Sequence, residues 1–425
     1  MLLQFCFSNY KSFKDEAVFD MRASGSNEYN GQVRSLGKDR VLLVAAIYGA
    51  NASGKSNVFS AFRYMSRHVV NSLFMSKDVS EENQIDIPRT PFVLSSKENE
   101  PSEFEVYYAD NCGNREKYYN YGFSIDSEGI VEEWLKTNSK TGVIRNKEYK
   151  DIFYRKRGEK TFFGSSISKY SKNLSISLED KVLLVSLGAK LKVKELLEVR
   201  DWFYRNDILD CSDPISDAVN SRRLPKEIVV NPDARKKLVE FIHSFDKSIV
   251  DFEFEKVAPL EDDDEGNYHV FTIHLSSDGN NRVRIPFREE SSGTIKMFAL
   301  YKRLMNVLQR GGVFFSDELD IKIHPLLMRN IILTFADPNK NPNNAQLIFT
   351  THNTIYMDMG LFRKDAIWFT EKKDNVSELY SLDDFVEPNG KKVRKDSNYE
   401  KNYLLGNYGA IPCLFSLVGE KHNET

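Results

Sequence analysis

The chain has 425 residues, which at ~150 residues per domain allows two or three domains and a sizeable core. It sets 59 Lys+Arg against 62 Asp+Glu, a formal −3, and is 41% hydrophobic; this balance excludes a nucleic-acid coat protein or a polyanion mimic, so any polyanion site is a local patch. No apolar run nears the ~20 residues of a membrane span, MLLQFCFSNYKSF does not read as a secretion signal, and Cys6, Cys112, Cys211 and Cys413 form no CxxC, which argues against a zinc knuckle or disulfide framework and leads us to expect a cytoplasmic protein.

The first forty residues alternate apolar and polar groups and predict two short strands of an antiparallel layer. Val41 to Ile47 is continuously apolar, as a strand buried on both sides would be. It runs through YGANASGKS into a segment whose Val58, Phe62, Met65, Val69 and Leu73 recur at helical spacing. Residues 77–101 are polar and read as a loop. Aromatic-rich β-like runs follow from Glu103 to Lys136 and from Asp151 to Phe163, then helical pattern from Val182 to Phe203 and from Asn231 to Phe245. A second β-like stretch spans Val250 to Pro286, broken by the acidic run Glu261 to Asn267, which reads as a solvated hairpin tip because adjacent carboxylates repel. After Glu289 come a helix to Leu308, the apolar strand VFFSDELD, the helix HPLLMRNIILTF and the strands QLIFTTHN and DAIWFTEK. The stretch from Lys391 to Lys401 is basic and reads as solvated.

Gly49-Ala50-Asn51-Ala52-Ser53-Gly54-Lys55-Ser56 matches GxxxxGK[ST], with Asn57 following in the helix. Glycines let the backbone wrap until successive N–H groups face phosphate oxygens, and the helix adds its positive N-terminal end. In that geometry Lys55 reaches the β- and γ-phosphates and the Ser56 hydroxyl coordinates Mg²⁺. A buried strand before the loop and an amphipathic helix after it are the context this motif requires.

A phosphate loop needs an acidic partner, and the strand Val313 to Ser316 ends in Asp317-Glu318. An Asp there can hold Mg²⁺ beside the loop serine, and the adjacent Glu can polarise an attacking water as general base. Upstream, Glu290-Ser291-Ser292-Gly293-Thr294 opens a helix and offers a second anion cradle. Asp320 and His324 lie in the loop begun by the acidic pair. Thr351-His352-Asn353 ends the next apolar strand, where an imidazole could sense a γ-phosphate.

This succession resembles the ABC-type ATPase heads of SMC-like and OLD-like proteins. It resembles more closely the stand-alone AAA15- and AAA21-type ATPases found beside bacterial phage-defence genes, through FSNYKSFKDEAVF, YGANASGKSN, PFVL with PSEFEV, EESSGTIK, FFSDELDIKIHP, FTTHN and YLLGNYGAIP. The resemblance implies a P-loop NTPase of ABC-head type: an α/β fold with a mixed central sheet, flanking helices and an antiparallel β layer. It implies Gly49, Gly54, Lys55 and Ser56 as Walker A, Asp317 and Glu318 as Walker B, Ser291, Ser292 and Gly293 as the signature, Asp320 as the D-loop acid and His352 as the switch histidine. ATP with Mg²⁺ would then be sandwiched between protomers of a homo-oligomer. ESSGT departs from the LSGGQ of transporters, and no glutamine is well placed as a Q-loop: Gln84 is the nearest, while the family uses the segment near Pro91-Phe92.

Ser56 and Ser291 are 235 positions apart, too few for coiled-coil arms, and no sustained heptads occur between them. Only 73 residues follow His352, most of them needed to finish the head, so nuclease or toxin activity is expected on another chain. The expected layout is residues 1–76 and 286–425 forming the head around an inserted α/β lobe at 77–285. The leading expectation is an ATPase that regulates a separately encoded effector in anti-phage abortive infection, with DNA or a phage component as a further partner and no membrane. The alternative is a DNA-repair ATPase, for which Lys391 to Lys401 and Arg155 to Lys160 are the candidate basic patches.

Overall fold

The computed structural model describes all residues except 27–28, 38, 77–86, 112–115, 139–148, 214–222, 258–264, 387–389, 391, 395–396 and 413–425. Gln84, Cys112, Cys413, most of the acidic run from Glu261 and part of the 391–401 stretch lie outside the described residues.

In chain order, β1 (Leu2–Ser8) and β2 (Ala17–Asp20) pair antiparallel, with Phe5 opposite Phe19. A hairpin of β3 (Val33–Leu36) and β4 (Asp39–Leu42) leads to β5 (Val44–Gly49) and α1 (Lys55–Asn71). Five strands follow: β6 (Ser102–Asn111), β7 (Glu116–Ile125), β8 (Ile130–Asn138), β9 (Lys150–Lys156) and β10 (Phe162–Phe163). Helices α2 (Ser171–Ile176), α3 (Leu184–Lys190) and α4 (Lys194–Tyr204) precede β11 (Asp207–Asp210) and β12 (Arg223–Pro225). Then come α5 (Lys226–Val230), α6 (Pro232–His243), β13 (Ile249–Lys256), β14 (Glu265–Leu275), β15 (Arg282–Pro286) and α7 (Ser292–Arg310). The chain continues through β16 (Val313–Asp317), α8 (Pro325–Ala336), β17 (Gln346–Thr350), α9 (Ile355–Asp358), β18 (Ile367–Lys373), β19 (Val376–Ser381) and α10 (Tyr399–Leu404).

Two large sheets organise these elements. One has the order β10-β9-β8-β7-β6-β1-β2 and is antiparallel throughout. The other runs β11-β16-β17-β5-β18-β19, with only β19 antiparallel. Its strands β5, β16 and β17 are buried at every position, the continuous apolar pattern of a sheet covered on both faces. Helix α1 lies between the sheets. Phe59 and Phe62 meet Phe315 of the parallel sheet at 5.5 and 5.6 Å between ring centroids, while Phe62 also meets Phe5, and Tyr64 meets Phe104, on the antiparallel side. Each such ring contributes roughly 1.5–3 kcal/mol by its burial, so this helix is held firmly from both sides.

The middle segment is only in part an insertion. β6 pairs with β1 and continues the sheet begun by the first residues, and β11 pairs with β16 at the edge of the parallel sheet. What stands apart is a smaller four-stranded sheet of β12, β14, β13 and β15, which rests on α7 through Phe252 and Phe287 against Phe298 at 5.1 and 4.6 Å. Strand composition marked the segment as β-rich; which large sheet it joins is set by β6 on β1 and β11 on β16, pairings of strands roughly a hundred residues apart.

Candidate nucleotide site

β5 delivers the chain at Gly49 into the loop, and α1 begins at Lys55. Gly49 has φ +153° and Gly54 φ +119°, values that side-chain-bearing residues rarely adopt. Space excludes a side chain at Gly49 as well: a Cβ there would stand 2.5 Å from the Thr370 carbonyl oxygen. Ala52 carries a positive φ of 61° without being glycine, a conformation held by its surroundings. Those surroundings come from remote residues. Ser53 Oγ is 2.6 Å from Thr370 Oγ1, Ser377 Oγ is 2.7 Å from both Ser53 O and Ser12 Oγ, and Asn57 Nδ2 donates to Ser12 Oγ at 2.7 Å.

Lys55 turns back over its own loop, and its ammonium donates to the carbonyls of Gly49 and Ala50 at 2.9 Å each. Burial lowers its pKa to about 8, against the opposing pull of Asp317 and Glu318. Those acids lie at the end of β16. Asp317 is buried and accepts a hydrogen bond from the Thr350 hydroxyl at 2.5 Å. Glu318 has φ +50°, and its amide donates to the same hydroxyl at 2.8 Å. This contact exists because β17 lies between β16 and the phosphate-loop strand β5.

Burial, with Asp317 next, raises the Glu318 pKa above the ordinary carboxylate value, the direction that makes a carboxylate a better proton acceptor. His352 Nε2 stands 3.8 Å from Glu318 Oε1, beyond hydrogen-bond reach. Burial and the nearby Lys55 lower the His352 pKa, favouring the neutral imidazole. Asp320 accepts from Thr351 Oγ1 at 2.9 Å and from the Tyr356 hydroxyl at 3.4 Å, and burial raises its pKa.

A cavity of about 490 Å³ opens over the loop, lined by Asn51, Ala52, Gly54, Lys55, Ser56 and Asn57 on one side and by Ser12, Glu318, His352 and Lys372 on the other. This size suits a small-molecule ligand. The structure thus brings the loop, Glu318 and His352 to one cavity, with Asp317 immediately behind. The Ser56 hydroxyl and Asp317 carboxylate are hard oxygen donors that fit Mg²⁺, an ion held through few protein groups beside the phosphates it accompanies. Among the described residues no group of three or more His, Cys, Asp or Glu is disposed to hold a metal ion.

Ser291, Ser292 and Gly293 do not line this cavity. Ser291 caps α7, its Oγ accepting the Thr294 amide at 3.1 Å, and a Cβ on Gly293 would stand 3.6 Å from the Lys322 carbonyl oxygen. The turn is anchored from behind, where Glu290 Oε1 meets His274 Nε2 at 2.7 Å and the Thr272 hydroxyl. Asp320 also lies off the cavity, against Thr351. The segment at Pro91-Phe92 braces the loop that carries Ser12: the Phe92 amide donates to Asn9 Oδ1 at 3.0 Å and the Lys11 amide to Thr90 O at 2.8 Å. Sequence reasoning missed Ser12, Thr350, Thr370 and Ser377; the one available hint was Ser12's place inside FSNYKSF.

A family described as "AAA domain, putative AbiEii toxin, Type IV TA system" matches residues 44–358, a span that takes in the phosphate loop, the acidic pair and His352. The chain belongs to this family. It is a P-loop ATPase, with the sheet order and phosphate loop described above. No curated protein matches the sequence. Among solved structures, the SMC head domain from Thermotoga maritima is 14% identical, with a TM-score of 0.38 over 89% of this chain and 98% of that one. The Smc head domain with an extended coiled coil bound to the C-terminal domain of ScpA, derived from Pyrococcus furiosus, is 13% identical, with a TM-score of 0.41 over 89% and 96%. An SmcHead bound to the C-winged helix domain of ScpA is 13% identical, with a TM-score of 0.40 over 89% and 97%. These likenesses are loose, and the fold assignment rests on this chain's own topology. Among the described residues no helix is long and apolar enough to cross a membrane.

Proposed function

We propose that this ATPase is Mg²⁺-dependent, sandwiches its nucleotide between two protomers and controls a separately encoded effector in anti-phage abortive infection. In this reading Gly49 to Asn57 cradle the phosphates of one protomer's ATP, with Lys55 leaving its loop carbonyls to pair with them. Bound Mg²⁺ would screen phosphate charge between Ser56 and Asp317. Glu318 takes a proton from the attacking water and His352 faces the terminal phosphate. Ser291, Ser292 and Gly293 meet the nucleotide of the other protomer, and Asp320 stands at the same junction.

The observation that carries the two-protomer reading is the position of the capped, anchored Ser291–Gly293 turn away from the chain's own cavity, which leaves the exposed Ser292 and the start of the helix for a second nucleotide. The effector role is supported by the family's description, which names a toxin and a toxin–antitoxin system. For a DNA-repair role, the candidate patch at Arg155 offers little: Arg155 pairs with buried Glu133, Lys156 with Glu132 and Glu159, and Arg157 with Asp126 and Glu128.

Mixing tests the sandwich. Lys55→Ala and Ser292→Arg should each lack turnover, while a one-to-one mixture should regain about a quarter of wild-type activity, since half the dimers pair the two variants and each of those holds one intact site. Heteromers that form with ATP yet stay inactive would refute the trans arrangement. Co-purification of the product of a neighbouring gene tests the effector role, and several-fold stimulation of turnover by duplex DNA without such a partner would favour repair.

A further inference from the structure

Two threonines at the end of β17 hold the acids of the site. Thr350 is fully buried. Its hydroxyl donates to Asp317 Oδ1 at 2.5 Å and accepts from the Glu318 amide at 2.8 Å. Thr351, equally buried, donates to Asp320 Oδ2 at 2.9 Å and accepts the Asn353 amide at 2.9 Å. One strand end therefore grips the loop 317–320 at its first, second and fourth residues.

That grip matters most at Glu318. Its φ of +50° lies where non-glycine residues stay only if neighbouring structure fixes them, and the bond to Thr350 fixes the peptide N–H of that residue. The same hydroxyl orients the carboxylate of Asp317, so one oxygen atom ties both the Asp317 side chain and the Glu318 backbone to β17. His352 comes next in the chain, lines the cavity and lies 3.8 Å from the Glu318 carboxylate.

We infer that Thr350 and Thr351 are positioning residues for the ATPase reaction: their hydroxyls tie the orientation of Asp317, Glu318 and Asp320 to the end of β17. A ligand that contacts His352 from the cavity then acts on the strand end that aims the acids. Three consecutive residues, Thr350, Thr351 and His352, couple what fills the cavity to how the carboxylates point. The inference rests on the ATPase reading above.

Full-length Thr350→Val, Thr350→Ser, Thr351→Val and Glu318→Gln proteins test it. Valine keeps the shape and drops the hydroxyl; serine keeps the hydroxyl. Binding of a fluorescent ATP analogue in EDTA should be the same for Thr350→Val and wild type. Its kcat should fall about 10–100-fold, the usual loss when a group orienting a metal ligand is removed. The Mg²⁺ concentration giving half of the nucleotide-dependent thermal shift should rise about tenfold, and Thr350→Ser should restore both readouts to within about threefold. Thr351→Val should lower kcat with the Mg²⁺ response unchanged, because Thr351 touches Asp320 and not Asp317. A Thr350→Val protein with wild-type kcat and Mg²⁺ response overturns the inference. So does one that loses Mg²⁺-free nucleotide binding together with turnover and gains nothing from serine, since Thr350 would then be a packing residue only. Glu318→Gln separates the two levels: lost turnover leaves the ATPase reading standing whatever Thr350 does, and retained turnover overturns that reading itself.

Discussion

Nucleotide binding should draw a proton onto Lys55, and the structure fixes how much. Lys55 is 5% exposed, its ammonium donates to two carbonyls of its own loop, and burial brings its pKa to about 8. A polyphosphate at bonding distance favours the charged form and returns the pKa toward or above its ordinary value. The proton taken up is then the fraction missing beforehand: roughly one-tenth at pH 7, half at pH 8 and nine-tenths at pH 9. The nucleotide adds little above pH 8, where its phosphates have already lost their protons. Calorimetric titration at each pH in two buffers of different ionisation enthalpy measures the uptake directly. The sign of the linked stability follows from the same numbers. An unfolded Lys keeps its proton to a pH of about 10.4 and the folded one to about 8, so the unfolded state holds more protons between those values. Stability of the nucleotide-free protein should therefore rise with pH across that window, by up to about 3 kcal/mol, and bound nucleotide should abolish the rise. Uptake below about 0.1 proton at pH 9, unchanged from pH 7, would refute the argument that burial governs this lysine.

Two further outcomes follow from packing. Gly49→Ala places a methyl 2.5 Å from the Thr370 carbonyl oxygen at a φ of +153°, so it should abolish ATP binding and destabilise the fold by roughly 1–3 kcal/mol, read from equilibrium urea unfolding; a variant that binds ATP normally would show that the loop relaxes around the methyl. Glu133 is fully buried and accepts the Leu184 and Val185 amides at 2.7 and 3.1 Å beside Arg155, so Glu133→Ala should cost roughly 3–5 kcal/mol by stranding a buried cation and a helix N-terminus, with the same measurement deciding.

The parts that sequence revealed are those whose physics is local. Strand, phosphate loop and helix follow one another within residues 44–71, and Asp317, Glu318 and His352 each end an apolar run, so pattern alone finds them. Ser12, Thr370 and Ser377 support the same loop as single hydroxyls whose partners are remote in sequence, and no periodicity marks a lone serine at a strand end. β11 is only DILD, too short to show alternation, and its neighbour β16 begins more than a hundred residues later. The position of Ser291–Gly293 depends on how α7 rests on the small sheet through Phe252 and Phe287 against Phe298, contacts that no local pattern encodes.

The sheet order also constrains how the protein is made. β5, the strand that bears the phosphate loop, has β17 and β18 as its neighbours, and β18 ends at Lys373. At translation rates of about 5–20 residues per second, β5 emerges roughly 15–65 s before both partners exist. For that time an apolar ribbon with two open edges depends on α1 or on a chaperone for cover. Slowing the ribosome between residues 50 and 346 should therefore lower the yield of soluble protein more than slowing it after 373.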